Sequence, residues 1–153
     1  MKKIFITLSI SLISILGHAQ KSTYTGLPSL VWPKLYNIQF EKRQDDLGDY
    51  DKPIFSADVK ALQGKSVILP GYMVPFEGTT RGNHFMLSSM PLNACFFCGV
   101  GGPETVVEVY VKNAIEYTEK PIQVRGVLKL NDKEPDKMIY LLEDAELEGV
   151  AEY

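Results

Sequence analysis

The chain has 153 residues, 16 basic and 19 acidic, with a formal net charge of −3. This acidic balance lacks the basic footprint that a nucleic-acid binder needs to neutralise phosphates. The length fits one domain able to bury about two thirds of its unfolded surface, so neither a metal nor a disulfide is required merely to fold it.

At the N-terminus, Lys2 and Lys3 precede an apolar or hydroxyl run from Ile4 to Leu16, followed by the small-residue exit Gly17-His18-Ala19. Residues 1–19 therefore read as a secretory signal peptide cleaved before Gln20. The run is 13 residues, short of the ~20 that cross a bilayer, and no cysteine near the cleavage site offers a lipid anchor. The expectation is a soluble periplasmic or secreted domain with no transmembrane segment in the mature chain. Losing Lys2 and Lys3 with the leader takes the net charge from −3 to −5.

Residues 20–55 read as an irregular N-terminal arm, because Pro28, Pro33, Gly48 and Pro53 surround the charged stretch Glu41-Lys42-Arg43-Gln44-Asp45-Asp46. Only Leu35 to Phe40 has strand character, and Trp32, Leu35, Tyr36 and Phe40 are the residues expected to pack the arm onto the body. The main domain, residues 56–153, opens with a capping serine, Ser56, apolar Val59 and Leu62, and a closing Gly64, which predicts a helix of one to two turns.

Beyond Lys65 the apolar period changes to two, the mark of half-buried strands. Val67, Leu69, Gly71 and Met73 share a face of the first strand, with Gly71 where a coiled barrel strand needs a kink. Phe85 and Leu87 mark a second strand. Val107, Val109 and Val111 mark a third, and Ile122, Val124, Gly126, Leu128 and Leu130 a fourth. Asn131 to Asp136 reads as a turn before a fifth strand through Ile139, Leu141 and Ala145. Five strands without strong helices between them predict an all-β fold, a small five-stranded OB-like antiparallel barrel with a short helix and an irregular arm. An open antiparallel sheet is the alternative. Val67, Leu69, Val107, Val109, Val124 and Leu128 are expected to point inward.

Three segments also look familiar: Leu62-Gln63-Gly64-Lys65-Ser66-Val67, then Gly71-Tyr72-Met73-Val74-Pro75, then Ala94-Cys95-Phe96-Phe97-Cys98-Gly99 with Pro103. Together they resemble a family of exported bacterial proteins known as domain of unknown function 3299, over roughly residues 30 to 147. The resemblance implies the domain and the importance of the cysteine segment, and no mechanism. Some members of that family place a histidine soon after the first cysteine and lack the second, which keeps a metal-ligand reading open.

The loop from Ser88 to Glu104 is long for a hairpin connection, and such loops are usually functional or disordered. Its chemistry supports four readings. Cys95 and Cys98 can form a disulfide or stay as inert thiols that order the loop, as an oxidising compartment favours. They can instead supply two thiolates to Zn or Cu, with Met90, Glu104 and His84 as further ligands. His84 stands four residues from the loop's mouth, about 13 Å at about 3.3 Å per residue, so the loop would have to fold back to meet it. The pair can also exchange thiol for disulfide, although no cationic neighbour lowers the thiolate pKa. Finally, Phe96 and Phe97 can form a partner-docking tip that the cysteines only shape.

No nucleophile elbow and no spaced carboxylate pair supports hydrolysis. The expected function is a non-enzymatic exported module that binds a metal ion or an envelope protein through this loop. A periplasmic thiol–disulfide redox protein is the alternative.

Overall fold

The computed structural model describes residues 26–46, 48–76 and 80–151, with the Cys98 side chain also outside the described set. The expected leader and its cleavage site lie outside these residues. The chain runs α1 (Trp32–Leu35), β1 (Ile38–Asp45), β2 (Gly48–Phe55), α2 (Ala57–Lys60), β3 (Ser66–Val74), β4 (Arg81–Ser88), β5 (Val106–Glu116), β6 (Ile122–Leu130) and β7 (Tyr140–Val150). Three short 3-10 turns, Leu92–Ala94, Phe96–Cys98 and Pro103–Thr105, lie between β4 and β5.

Strands β3 to β7 close into a five-stranded barrel in the order β3-β4-β5-β7-β6. The six residues expected to point inward, Val67, Leu69, Val107, Val109, Val124 and Leu128, all belong to the buried core. The barrel is mixed, because β5 and β7 pair parallel while the other four pairs are antiparallel. A closed ring with an odd number of strands cannot alternate direction throughout, so closure itself corrects the wholly antiparallel expectation.

Gly71 is the hinge of this closure. β3 pairs with β6 from Ser66 to Gly71 and then with β4 from Tyr72 to Val74. A Cβ at Gly71 would stand 2.6 Å from Leu87 Cγ and 2.7 Å from the Ser88 carbonyl oxygen. Only glycine lets the neighbouring strand come this near.

Helix α1 packs into the barrel core. Ser29 Oγ accepts hydrogen bonds from the Val31 and Trp32 amides, both at 3.1 Å, and Pro33 in the first turn suits the helical φ. Trp32 and Leu35 are fully buried, and burying a leucine of this kind contributes about 1.5–3 kcal/mol. Trp32 Nε1 donates to the Pro70 carbonyl at 2.6 Å, and the Tyr140 hydroxyl donates to the Leu35 carbonyl at 2.8 Å. The expected packing of Trp32, Leu35 and Tyr36 therefore holds, whereas Phe40 lies 38% exposed. Helix α2 forms where Ser56 predicted it, with Ser56 Oγ accepting from the Val59 amide at 3.4 Å.

The arm is more regular than its composition suggested. The charged stretch from Glu41 to Asp45 lies within β1, which pairs along its whole length with β2 as a separate two-stranded hairpin. Both faces of its outer part are exposed, so no apolar alternation marks it in the sequence. Among the described residues, no helix is long and apolar enough to cross a membrane.

Candidate functional site

The segment between β4 and β5 is anchored at its base and apolar at its tip. The Ser89 amide and hydroxyl both donate to the Thr105 carbonyl, at 2.9 and 3.0 Å. With that hydroxyl proton spent, the Tyr36 hydroxyl donates to Ser89 Oγ at 2.9 Å, tying the base to α1. Burial and, to a smaller extent, the Glu104 charge push the Tyr36 phenol up. The Met90 methyl lies across Gly101, where a Cβ would stand 2.5 Å from it. Gly99 closes the Phe96–Cys98 turn with φ 76°, a conformation glycine adopts freely.

At the tip, Leu92, Phe97 and Val100 are 40%, 51% and 68% exposed. Phe96 is half-buried and meets Phe97 edge-on at 5.3 Å. From Ser89 to Pro103 there is no charged residue. Cys95, by contrast, is 1% exposed.

The residues singled out as metal ligands are spread across this region. Met90 and Glu104 flank the base of the loop, Cys95 is buried within it, and the Cys98 side chain lies outside the described residues. The Glu104 carboxylate folds back over Gly102, and its charge bears on Tyr36 and Tyr140. Among the described residues, no group of three or more His, Cys, Asp or Glu side chains could hold a metal ion.

His84 belongs to a different constellation, on the outward face of β4 and β5. It lies opposite Tyr110 in the strand register, and their rings stack at 4.3 Å and 11°. Phe76 meets the same imidazole at 4.5 Å, tilted by 52°. Beside them Glu108, only 3% exposed, accepts three hydrogen bonds: from His84 Nε2 at 2.7 Å, from the Tyr110 hydroxyl at 2.6 Å and from the Met138 amide at 2.9 Å. Burial pushes the Glu108 carboxyl up, but the bonds from Tyr110, Met138 and His84 together outweigh it and hold the group below the usual carboxylate range. Burial and the neighbouring Glu108 carboxylate push the Tyr110 phenol strongly up.

In the sequence Glu108 and Tyr110 stand only as the residues between Val107, Val109 and Val111. What it lacked was the cross-strand register that sets both of them against His84.

A third feature is a cleft of about 420 Å³ between the β1–β2 hairpin and the β6–β7 loop, lined by Asp49, Tyr50, Asp51, Asp132, Lys133 and Pro135 among others. Asn131 makes the loop wall rigid. Its Nδ2 donates to the Glu134 carbonyl at 2.8 Å, and its Oδ1 accepts from the Lys133 and Glu134 amides at 3.1 and 2.9 Å.

Comparison with known proteins names a family and leaves these features as the chemistry to explain. The model of a family described as "Protein of unknown function (DUF3299)" matches residues 31–148. No curated protein matches the chain. Among solved structures, the chain is similar to a DUF3299 family protein from Pseudomonas aeruginosa PAO1, at 24% identity and a TM-score of 0.47, over 62% of this chain and 66% of that one.

Proposed function

We propose that this chain, which belongs to the DUF3299 family, is an exported, non-enzymatic binding module that docks a protein partner through the tip of its Ser88–Glu104 loop. The observation that carries the reading is the contrast within the loop. Leu92, Phe97 and Val100 stand exposed at its tip, while Ser89 and Thr105 are buried and hydrogen-bonded at its base. An apolar tip on a fixed base loses little conformational entropy on binding, which favours association. Exposed aromatic anchors of this kind commonly dominate interface energetics.

Of the occupants expected for the loop, a protein is better supported than a soft metal ion or a thiol-exchange partner. A redox pair needs an accessible thiolate, and Cys95 is 1% exposed. In this reading the cysteine segment shapes the turn that presents Phe97.

The test is site-specific photo-crosslinking in the native envelope. A crosslinker at Phe97 or Val100 is expected to capture one discrete protein species that a crosslinker at the exposed Lys42 of the β1–β2 hairpin does not. Phe97→Ser should abolish capture from Val100 while changing stability by less than about 0.5 kcal/mol, as an exposed substitution does. Equal labelling from all three positions, or none from the loop, would overturn the reading.

A further inference from the structure

An outward-facing strand position ordinarily carries a solvated side chain. Glu108 departs from that: it is a nearly buried carboxylate with three donors, and burying an ion costs stability unless its partners compensate. What the arrangement achieves is position. One carboxylate fixes the His84 ring, the Tyr110 ring and, through Met138, the β6–β7 loop beside them.

Because the ionised Glu108 only accepts, His84 Nε2 must donate to it, which leaves Nδ1 of the neutral imidazole as an acceptor. Phe76 and the His84 side chain are 39% and 37% exposed. Next to them a small depression is lined by Met73, Thr80, Arg81, His84 and Phe85 among others, and the exposed Arg81, three residues before His84 on β4, donates to the Ala114 carbonyl at 3.4 Å. The three contiguous rings and the acceptor are thus held in place without a ligand.

Five-stranded barrels of the OB type bind oligonucleotides or oligosaccharides on the outward face of their second and third strands. In the order β3-β4-β5-β7-β6 those strands are β4 and β5, the ones that carry this cluster. Charge separates the two ligand classes. Glu134 and Asp136 are near enough to act electrostatically on Tyr110, and the whole chain is net acidic, so a polyphosphate strand would be repelled. A sugar chain has no charge to repel; its C–H faces stack on aromatic rings, and its hydroxyls both donate and accept.

We propose that the outward face of β4 and β5 around Phe76, His84 and Tyr110 is a binding site for a neutral carbohydrate chain. The site uses residues distinct from the loop tip, so it stands or falls independently of the docking reading. His84 Nδ1 accepts from a sugar hydroxyl, and Phe76 packs against a pyranose face. Glu108 is a positioning residue that holds the imidazole and the phenol.

The experiment is titration of the isotope-labelled protein with cellotetraose, maltotetraose and chitotetraose, following amide and imidazole resonances, with a short oligothymidylate alongside. At least one glycan is expected to shift His84, Tyr110 and their β4 and β5 neighbours saturably, while the oligothymidylate does not. Phe76→Ala and His84→Ala should each weaken that binding by about tenfold, the loss of one stacking or hydrogen-bonding contact. Phe76→Ala, at an exposed position, should melt with the parent and so remains informative if His84→Ala is unstable. No saturable shift on β4 and β5 with any of the glycans, binding that survives both substitutions, or a preference for the oligothymidylate would overturn the proposal.

Discussion

In β5 burial runs unbroken from Val106 to Val109, whereas in β1 every residue after Ile38 is exposed. Both are hydrogen-bonded strands, yet different parts of the molecule hold them in place. The barrel closes on itself, so each of its strands has two paired neighbours and an inner face packed in the core. Among the described residues the hairpin is a sheet of two strands, a unit that is marginal in water by itself. It is held at its root, where Ile38 and Phe55 pack against the core and the Phe55 and Tyr140 rings meet at 5.9 Å. Strand formation in the barrel is thus driven by burial, and in the hairpin by attachment at one end.

The largest test of this contrast is Val109→Asp. Val109 is fully buried in the barrel, and an unpaired carboxylate there should cost more than about 4 kcal/mol, enough to unfold the domain. Chemical denaturation decides it; a variant that melts like the parent would show that Val109 does not face the core.

A smaller effect is expected at the barrel's outward face. Glu108→Gln keeps the shape but loses the charged acceptor for His84, Tyr110 and Met138, and should cost about 1–3 kcal/mol at neutral pH. The pH dependence follows from the direction of the shift. The folded carboxyl is held below its unfolded value, so its contribution is complete above the ordinary glutamate range, which begins near about pH 4.5. It declines as the pH falls through that range and is gone below the folded value. The stability gap between parent and variant should therefore shrink on acidification; a gap that stays constant or widens would refute this origin.

The smallest effect belongs to the hairpin. Lys42 and Asp51 face each other across it at 3.6 Å, with side chains 90% and 59% exposed. Such a pair is screened by water, and Lys42→Ala should change stability by less than about 0.5 kcal/mol. A larger loss would mean that cross-strand charge, rather than the Ile38 and Phe55 root, holds the hairpin.

The legibility of the chain follows the same division. The barrel strands could be read because each buries one face, which forces valines and leucines onto alternate positions; β6 begins and ends where Ile122 and Leu130 indicated. The short helix at Ser56 was legible because capping is local, and the role of Gly71 because a missing Cβ is a local fact. The hairpin could not be read in this way. Its exposed outer residues have no face to bury and leave only a charged stretch that resembles a loop.

The sequence by itself determined the period of the strands, the inward set from Val67 to Leu128, the match to its family and the uncharged, cysteine-bearing loop, all consequences of local composition. Tertiary structure alone decided the parallel β5–β7 pair, which strand parity imposes on a closed odd ring, and the burial of Cys95 two residues before an exposed Phe97. It also decided that His84 joins Glu108 and Tyr110 on the barrel wall rather than the loop. His84 lies 24 positions before Glu108, and only the register between β4 and β5 brings the rings and the carboxylate within bonding distance.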